Sequence, residues 1–267
     1  MLRCLEDVHP HLNLSLVQTV LTIEINRPEC KNALNGDLYT LITDVLNEAD
    51  TSPDVRVVIL RGNATDFSSG NDLKYFLMLA VQTQESISPG STPPFLFLKA
   101  LAQFSKPIIA AVRGVAIGVG VTLLSHCDLV YADHSTSFQL PFVNLGLTLE
   151  GASSLLFSQK AGYHLAAELL LTGQKFNAEK ALSARLINAI VEDPYTFSTA
   201  QARELALLPT ASLQIVKSQM KHNLQQILTC IDHEAKIVCQ RIQSPELMEA
   251  ISAFMQKRKP DFSQFNT

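Results

Sequence analysis

Alternating strand and helix periodicities constrain the fold of this chain more than any other feature. Residues 12–16 and 21–25 carry an apolar side chain at every second position, which predicts two half-buried strands joined as a hairpin. Residues 38–49 instead place apolar side chains at helical spacing, with Asn35 as a cap and Pro53 as a stop. Strands that alternate with helices in this way indicate the α/β class.

The alternation of predicted strands and helices continues in the middle of the chain and is then replaced by helices alone. Further buried strands are predicted by three short apolar runs: residues 55–60, 107–112 and 128–131. Residues 82–94 are rich in Ser, Pro and Gly, which predicts a mobile polar loop. After about Tyr195 only helical periodicity remains. The sequence therefore predicts a core over residues 1–195 and a helical region over residues 196–267.

The composition and the charge bear on the compartment of the protein and on the classes of partner that it binds. The 267 residues are 47% hydrophobic, and a formal net charge of -4 with a pI near 6.0 disfavours a nucleic-acid surface. Five cysteines without paired close spacing indicate free thiols. The N-terminus has no apolar signal region, and the longest apolar stretches are too short to cross a bilayer. We therefore expect a soluble, cytoplasmic protein without nucleic-acid or membrane partners.

Metal and redox chemistry find little support in the sequence. His126 and His164 have no His, Cys or acidic residue at metal-ligand spacing, so both are interpreted as structural. The dinucleotide fingerprint is absent, because no third glycine follows Gly118 and Gly120 at the required position, and a phosphate-binding loop is absent, because no Gly-Lys-Ser/Thr follows. We expect no metal and no tightly bound cofactor.

Two segments rich in small residues could bring backbone N–H groups close to a ligand. Residues 67–73 follow a predicted strand and include Asp72, which could cap the next helix. Residues 113–122 place glycines where a strand runs into a helix, which exposes the free N–H groups of the first helical turn. Taken singly, the first segment is more typical of a plain turn and the second of tight helix–strand packing.

Glu150 is the third candidate, since it ends an uncharged stretch that begins at Ser135. A carboxyl group in apolar surroundings has a raised pKa and suits proton transfer near neutral pH. The local alternative is an exposed glutamate that complements the dipole of a helix beginning near Ala152.

Together with three further stretches, the two segments rich in small residues resemble the crotonase, or enoyl-CoA hydratase/isomerase, family over nearly the whole chain. Residues 26–35 are similar to its N-terminal CoA-contacting loop, residues 171–186 to the stretch after its active site and residues 258–262 to its tail. Each motif is weak alone, but five in the right order make the resemblance specific.

The resemblance implies a superhelix of ββα units followed by a C-terminal helical region that builds a homotrimer or hexamer. It also implies that the backbone N–H groups of Asn71 and Val119 form an oxyanion hole for a thioester oxygen, with an acyl-CoA as substrate. By the same resemblance, the remaining residues expected to bind the substrate are Arg27, Asn32, Ala33, Leu34, Ser69, Gly70, Asp72, Leu73, Gly118, Thr122 and Phe142.

The acid–base residues decide which reaction of the family is expected. Thr122 and Phe142 stand where the resembling hydratases have two water-activating glutamates. Glu150 lies where a subset similar to the peroxisomal-type Δ3,Δ2-enoyl-CoA isomerases places its single base, although Leu149 replaces the usual proline. We therefore predict an isomerase. Two alternatives stay open: a hydratase that uses Asp72 or Glu150, and a non-catalytic acyl-CoA-binding protein.

The helices after Tyr195 are expected to supply the subunit contacts. They carry more apolar positions than one helix layer can cover. These positions are Leu205, Leu208, Leu213, Ile215, Val216, Leu224, Ile227 and Ile231.

Overall fold

Nine strands form two sheets in the computed structural model, which describes residues 9–72, 74–75, 77–78 and 88–265. The strands are β1 (Leu12–Val17), β2 (Val20–Ile25), β3 (Val57–Gly62), β4 (Ile108–Val112), β5 (Val115–Ile117), β6 (Leu129–Ala132), β7 (Ser137–Gln139), β8 (Phe176–Asn177) and β9 (Ala189–Ile190). The larger sheet has the order β1-β2-β3-β4-β6-β9, and the smaller has the order β5-β7-β8. Only β1 with β2 and β7 with β8 pair antiparallel among these described strands.

Successive strands wind from the larger sheet to the smaller one. β4 leads directly into β5, and β6 leads into β7, so each turn of the chain contributes one strand to each sheet. An isolated parallel bridge between Ser68 and Ala116 lays the segment after β3 beside β5 in the same manner. This winding is the predicted superhelix of ββα units within the α/β class.

Ten α-helices accompany the described strands. They are α1 (Gly36–Thr51), α2 (Pro93–Gln103), α3 (Val119–Thr122), α4 (Ser153–Ala161), α5 (Tyr163–Thr172), α6 (Ala178–Ser183), α7 (Pro194–Leu207), α8 (Thr210–Met220), α9 (Leu224–Ile242) and α10 (Pro245–Met255). No helix in the described ranges is both long and apolar enough to cross a bilayer.

Helix α1 shows how local sequence sets an element. Asn35 accepts a hydrogen bond from the backbone N–H of Leu38 and so caps the helix, as predicted. The helix buries Leu38, Ile42 and Val45 and packs against α2. Its last helical residue is Thr51, before Pro53.

Two predicted boundaries differ from the structure by two residues, and the predicted strands 107–112 and 128–131 differ from β4 and β6 by one residue. Helix α2 already begins at Pro93, so the predicted loop extends too far, because proline suits the first helical turn. Residues 82–87 of that loop lie outside the described residues. Strand β3 spans Val57–Gly62 rather than residues 55–60. Its pairing with β2 begins at Val57, which lies opposite Val20, so Val55 lies before the strand.

The C-terminal helices pack against the rest of the chain. Ala202 and Ala206 of α7 bury against Val57 and Ile109 of the larger sheet, and α9 packs against α2. Ile227 and Ile231 are therefore core residues of the subunit and not interface residues, which corrects the expectation for them. The division of the chain at residue 195 stays a prediction.

Candidate active site

Three segments meet at one edge of the larger sheet because they follow neighbouring parallel strands. Strands β2, β3 and β4 are parallel to one another, so their carboxyl ends lie together. The backbone N–H of Leu34 donates to Gly70 O at 2.8 Å, and Asp72 N–H donates to Leu34 O at 2.8 Å. In addition, Ile117 N–H donates to Ser68 O at 2.9 Å. These bonds join residues 26–35, 63–72 and 113–122 into one site.

The backbone N–H of Asn71 is left available by this arrangement. Leu34 forms a parallel bridge opposite Asn71, and its two hydrogen bonds go to the flanking residues Gly70 and Asp72. Within the described residues, the N–H of Asn71 has no acceptor. It can therefore donate to a ligand oxygen.

The backbone N–H of Val119 is available for a different reason. Val119 is the first residue of α3, and N–H groups in a first helical turn have no intrahelical acceptor. Gly118 precedes it with a φ of 56°, and a Cβ at Gly118 would meet no atom within 4 Å. The described chain thus leaves open space beside this turn, where a ligand oxygen can approach.

Two glycines allow the Asn71 and Val119 segments to approach so closely. A Cβ on Gly70 would lie 2.7 Å from Ile117 O, and the φ of Gly70 is 91°. A Cβ on Gly120 would lie 2.8 Å from Ser68 O. Any larger residue would push the two backbones apart, so the glycines are required for the donor pair.

Glu150 lies in the turn before α4, and this turn packs against Thr122 of α3. Glu150 is only 4% exposed, and its Oε1 is a buried oxygen without a hydrogen-bond partner among the described residues. Burial is the main reason that the pKa of Glu150 is raised to about 8. The nearby charge of Glu234 raises the pKa further, and a hydrogen bond with Asn71 opposes the rise. The exposed alternative for Glu150 is therefore wrong.

A buried tyrosine contacts the Asn71 segment near Glu150. The hydroxyl of Tyr39 on α1 donates to Asn71 Oδ1 at 2.5 Å, and the Asn71 side chain in turn lowers the pKa of Glu150. Sequence reasoning counted position 39 only as part of the helix α1 and missed this role. The available signal was a phenol on the buried face of that helix.

The two positions that would hold the glutamates of a hydratase are filled without carboxylates. Thr122 is fully buried, and its hydroxyl donates to Val119 O at 3.5 Å. A Cβ on Gly151 would lie 3.4 Å from the Thr122 side chain, so Thr122 packs against the turn that carries Glu150. Phe142 is 6% exposed and belongs to the apolar core.

Asp72 is committed to an ion pair. Its Oδ2 lies 2.5 Å from Arg27 Nη1, and its Oδ1 accepts from Lys74 N–H at 2.8 Å. Burial alone would raise the pKa of Asp72, but the hydrogen bonds from Arg27 and Lys74 outweigh it and lower the pKa. A carboxylate of this kind is a weak base and holds the loop together. The neighbouring Leu73 lies outside the described residues.

The other residues of the predicted substrate loop hold its shape. Asn32 is fully buried, and its side chain accepts from Arg27 N–H at 2.7 Å and donates to Asp66 O at 2.6 Å. Ser69 Oγ donates to Cys30 O at 2.8 Å. Arg27 also donates to Ala33 O. Contacts of this loop with a ligand stay a prediction.

His126 contributes to the same site as a structural residue. Its Nε2 lies 2.9 Å from Gly151 O, next to the base. Burial, followed by the nearby charge of Lys221, lowers the pKa of His126 to about 3. The ring is therefore neutral and donates from Nε2 to the carbonyl oxygen.

Comparison with known proteins places these features in a family. A sequence model of the family "Enoyl-CoA hydratase/isomerase" matches residues 16–265. Enoyl-CoA delta isomerase 2 of Rattus norvegicus is 33% identical over 245 residues, which are 90% of this chain and 62% of the rat protein. The 2,3-dehydroadipyl-CoA hydratase of Escherichia coli is 31% identical over 254 residues, or 94% of this chain and 98% of that protein.

Solved structures agree with the sequence relatives. A protein of Acinetobacter baumannii, provisionally named an enoyl-CoA hydratase/isomerase, superimposes with a TM-score of 0.89 at 56% identity. The match covers 93% of this chain and all of the other. An enoyl-CoA hydratase/isomerase of Pseudoalteromonas atlantica is similar at 38% identity and a TM-score of 0.87, over 94% of this chain and 99% of that one. By sequence and by fold, this chain belongs to the enoyl-CoA hydratase/isomerase family.

Proposed function

We propose that this member of the family is a Δ3,Δ2-enoyl-CoA isomerase in which Glu150 is the only proton-transferring base. The observation that carries the proposal is the buried Glu150 carboxyl group, which has one unpartnered oxygen among the described residues and a pKa raised to about 8. A single base of this strength suits a reaction that removes a proton and returns it.

The reaction needs few groups. Glu150 takes a proton from C2 of a 3-enoyl thioester, and the electron pair spreads onto the thioester oxygen as a dienolate. The N–H groups of Asn71 and Val119 stabilise that oxygen, an effect of about 3–4 kcal/mol per well-placed donor. The protonated Glu150 then returns the same proton at C4, so the double bond moves to C2 and the base is restored.

Water activation finds less support than proton shuttling. Thr122 and Phe142 offer no carboxylate, and Asp72 is held by Arg27. Hydration of a 2-enoyl-CoA is the second candidate, because the Escherichia coli relative named above is a hydratase. A non-catalytic acyl-CoA-binding protein is the third, but such a protein has no use for an unpartnered buried carboxyl oxygen, which costs free energy of folding.

Two substrates separate these functions. Purified protein is given a 3-enoyl-CoA and, in a second cuvette, a 2-enoyl-CoA, and the conjugated thioester is followed by its ultraviolet absorbance. We expect the absorbance to rise with the first substrate. With the second it should fall slowly or not at all, because two absent acid–base groups each cost roughly 10²–10⁴-fold.

The remaining outcomes contradict the proposal in different ways. Rapid hydration of the 2-enoyl-CoA would identify a hydratase. Tight binding of both thioesters in calorimetry, with no turnover of either, would identify a binding protein.

A further inference from the structure

We infer that Glu234 of α9 is a positioning residue that fixes the turn carrying Glu150 and sets the charge balance at the base. The inference rests on the proposed role of Glu150 and adds a residue from the C-terminal helices, far along the chain from the site. Neither the motifs nor the spacing of the sequence indicated it.

The Glu234 carboxylate binds the turn at three points. Its Oε2 accepts from Ala152 N–H at 2.6 Å, and its Oε1 accepts from Ser154 N–H at 3.0 Å and from Ser154 Oγ at 2.6 Å. Glu234 is only 4% exposed. These donors lie at the start of α4, where N–H groups lack intrahelical acceptors and attract a negative charge.

The turn depends on contacts with other parts of the chain because two of its residues have positive φ angles. Gly151 and Ala152 both lie in the left-handed region, with φ angles of 69° and 57°. That region is disfavoured for alanine. Glu234 holds the N–H of Ala152, while His126 lies 2.9 Å from Gly151 O on the other side. The direction in which Glu150 leaves the backbone therefore depends on both contacts.

Charge is the second link between Glu234 and the base. Among the described residues, Glu234 of α9 is the titratable group that shifts the pKa of Glu150, and Glu150 in turn raises the pKa of Tyr39 on α1. After burial, Glu234 is the next cause that raises the pKa of Glu150. Three donors from the turn compensate the charge of Glu234, and the Cys230 thiol of the same helix lies 3.7 Å from it. Within the described chain, Glu150 has no comparable set of donors.

Replacing Glu234 with glutamine tests both links. E234Q keeps the size of the side chain and one acceptor oxygen but removes the charge. We expect kcat for 3-enoyl-CoA to fall about tenfold with KM within about twofold, because the base is misplaced while binding is kept. The midpoint of the kcat/KM profile should move to lower pH, because a neighbouring negative charge no longer opposes ionisation.

A matched control lies on the same helix. Asp232 also loses a negative charge as D232N, but it faces Lys99, with Asp232 Oδ1 2.6 Å from Lys99 Nζ. We expect D232N to keep the kcat and the pH midpoint of the unaltered protein. Equal shifts in D232N and E234Q would overturn the inference, since they would report general surface charge.

The charge link can be measured without substrate, which separates it from the proposed function. The stability of the unaltered protein against denaturant is compared with that of E150Q across pH. The midpoint of the difference lies between the unfolded-state and folded-state pKa of Glu150, so it moves when the folded-state pKa moves. The same comparison is then made between E234Q and the double variant E150Q/E234Q. We expect the midpoint to lie at lower pH in the second pair, even if E150Q turns out to be fully active. An unchanged midpoint overturns the inference.

A second variant tests the positioning role in the event that E234Q does not fold. Ser154→Ala removes the hydroxyl donor to Glu234 and leaves both backbone contacts in place. We expect kcat to fall about threefold at unchanged KM, because one of three bonds that hold the turn is lost. Unaltered kcat in this variant contradicts the positioning role.

Discussion

At the scale of single residues, Glu150 combines burial with an unmet hydrogen-bonding capacity. Glu150→Gln keeps the shape and removes the base, so isomerisation should fall by about 10²–10⁴-fold or more while binding of acyl-CoA persists. Stopped-flow absorbance measures the first quantity, and calorimetry with CoA thioesters measures the second. Near-full turnover by the variant would rule out the single-base mechanism.

The proposed role of Glu150 makes activity depend on pH. In the proposed mechanism only ionised Glu150 can accept the C2 proton, and its pKa is raised to about 8 chiefly by burial. We expect kcat/KM of the free enzyme to rise with pH up to a plateau above pH 8, with half its maximal value near that pKa. A profile whose midpoint lies near the ordinary carboxyl value of 4.5 would show that Glu150 is not the titrating base.

Glu150 should also cost the protein stability in a defined range of pH. Its pKa is about 8 when folded and 4.5 when not, so the folded state favours the protonated form. Below pH 4.5 both states are protonated and nothing is lost. As pH rises toward 8 the folded state resists ionisation and stability falls. We expect Glu150→Gln to raise the free energy of unfolding by up to about 5 kcal/mol at pH 9 and by nothing at pH 4.

At the scale of elements, the donor pair depends on how closely two backbone segments approach. Gly70→Ala would place a Cβ 2.7 Å from Ile117 O at a φ of 91°. We expect a loss of about 1–3 kcal/mol of stability and a fall in kcat of at least tenfold, since the Asn71 N–H is displaced. Chemical denaturation and the 3-enoyl-CoA assay measure the two effects.

Gly162→Ala provides the control for that prediction. Gly162 has a φ of 77°, but a Cβ there would meet no atom within 4 Å. The Gly162→Ala variant should therefore have a lower free energy of unfolding, because of backbone strain, and an unchanged kcat. Equal losses of kcat in both variants would mean that the close approach does not matter.

Elements also show what sequence can and cannot predict. Helix α1 and the β1–β2 hairpin were predicted because their signals, a cap at Asn35 and period-two alternation, lie within the element. Strands β5, β7 and β8 have only two or three residues, too few to show a period, and they were missed. Tyr39 and Glu234 were missed because their partners lie far along the chain.

Glu150, Asn71 and Val119 could be proposed from the sequence for another reason. Each lies in a short segment whose residues resemble a motif of one family. The order of these motifs along the chain indicated the site, which periodicity alone could not do. Their environment could not be predicted in the same way. The burial of Glu150 depends on α1, α3 and α9 packing around one turn.

At the scale of the whole molecule, α8 presents an uncovered apolar face. Ile215, Val216 and Met220 are 57%, 51% and 65% exposed in the single chain. We expect a trimer or hexamer in solution that buries this face, because large exposed apolar patches mark interfaces. Light scattering on Ile215→Lys should show dissociation, whereas Val17→Lys, on the exposed part of β1, should leave the assembly intact. A stable monomer of unaltered protein at micromolar concentration contradicts this expectation.

The contact between Glu234 and the catalytic turn has a consequence for the order of synthesis. A ribosome releases Glu150 and both oxyanion segments well before it has made α9. Until α9 docks, the Ala152 and Ser154 donors have no carboxylate to bind, and of its two described contacts the left-handed turn keeps only the one with His126. A chain that lacks α9 can therefore present the Asn71 and Val119 segments, but the turn that carries Glu150 lacks its carboxylate partner. The proposed catalysis should begin only after α9 has left the exit tunnel.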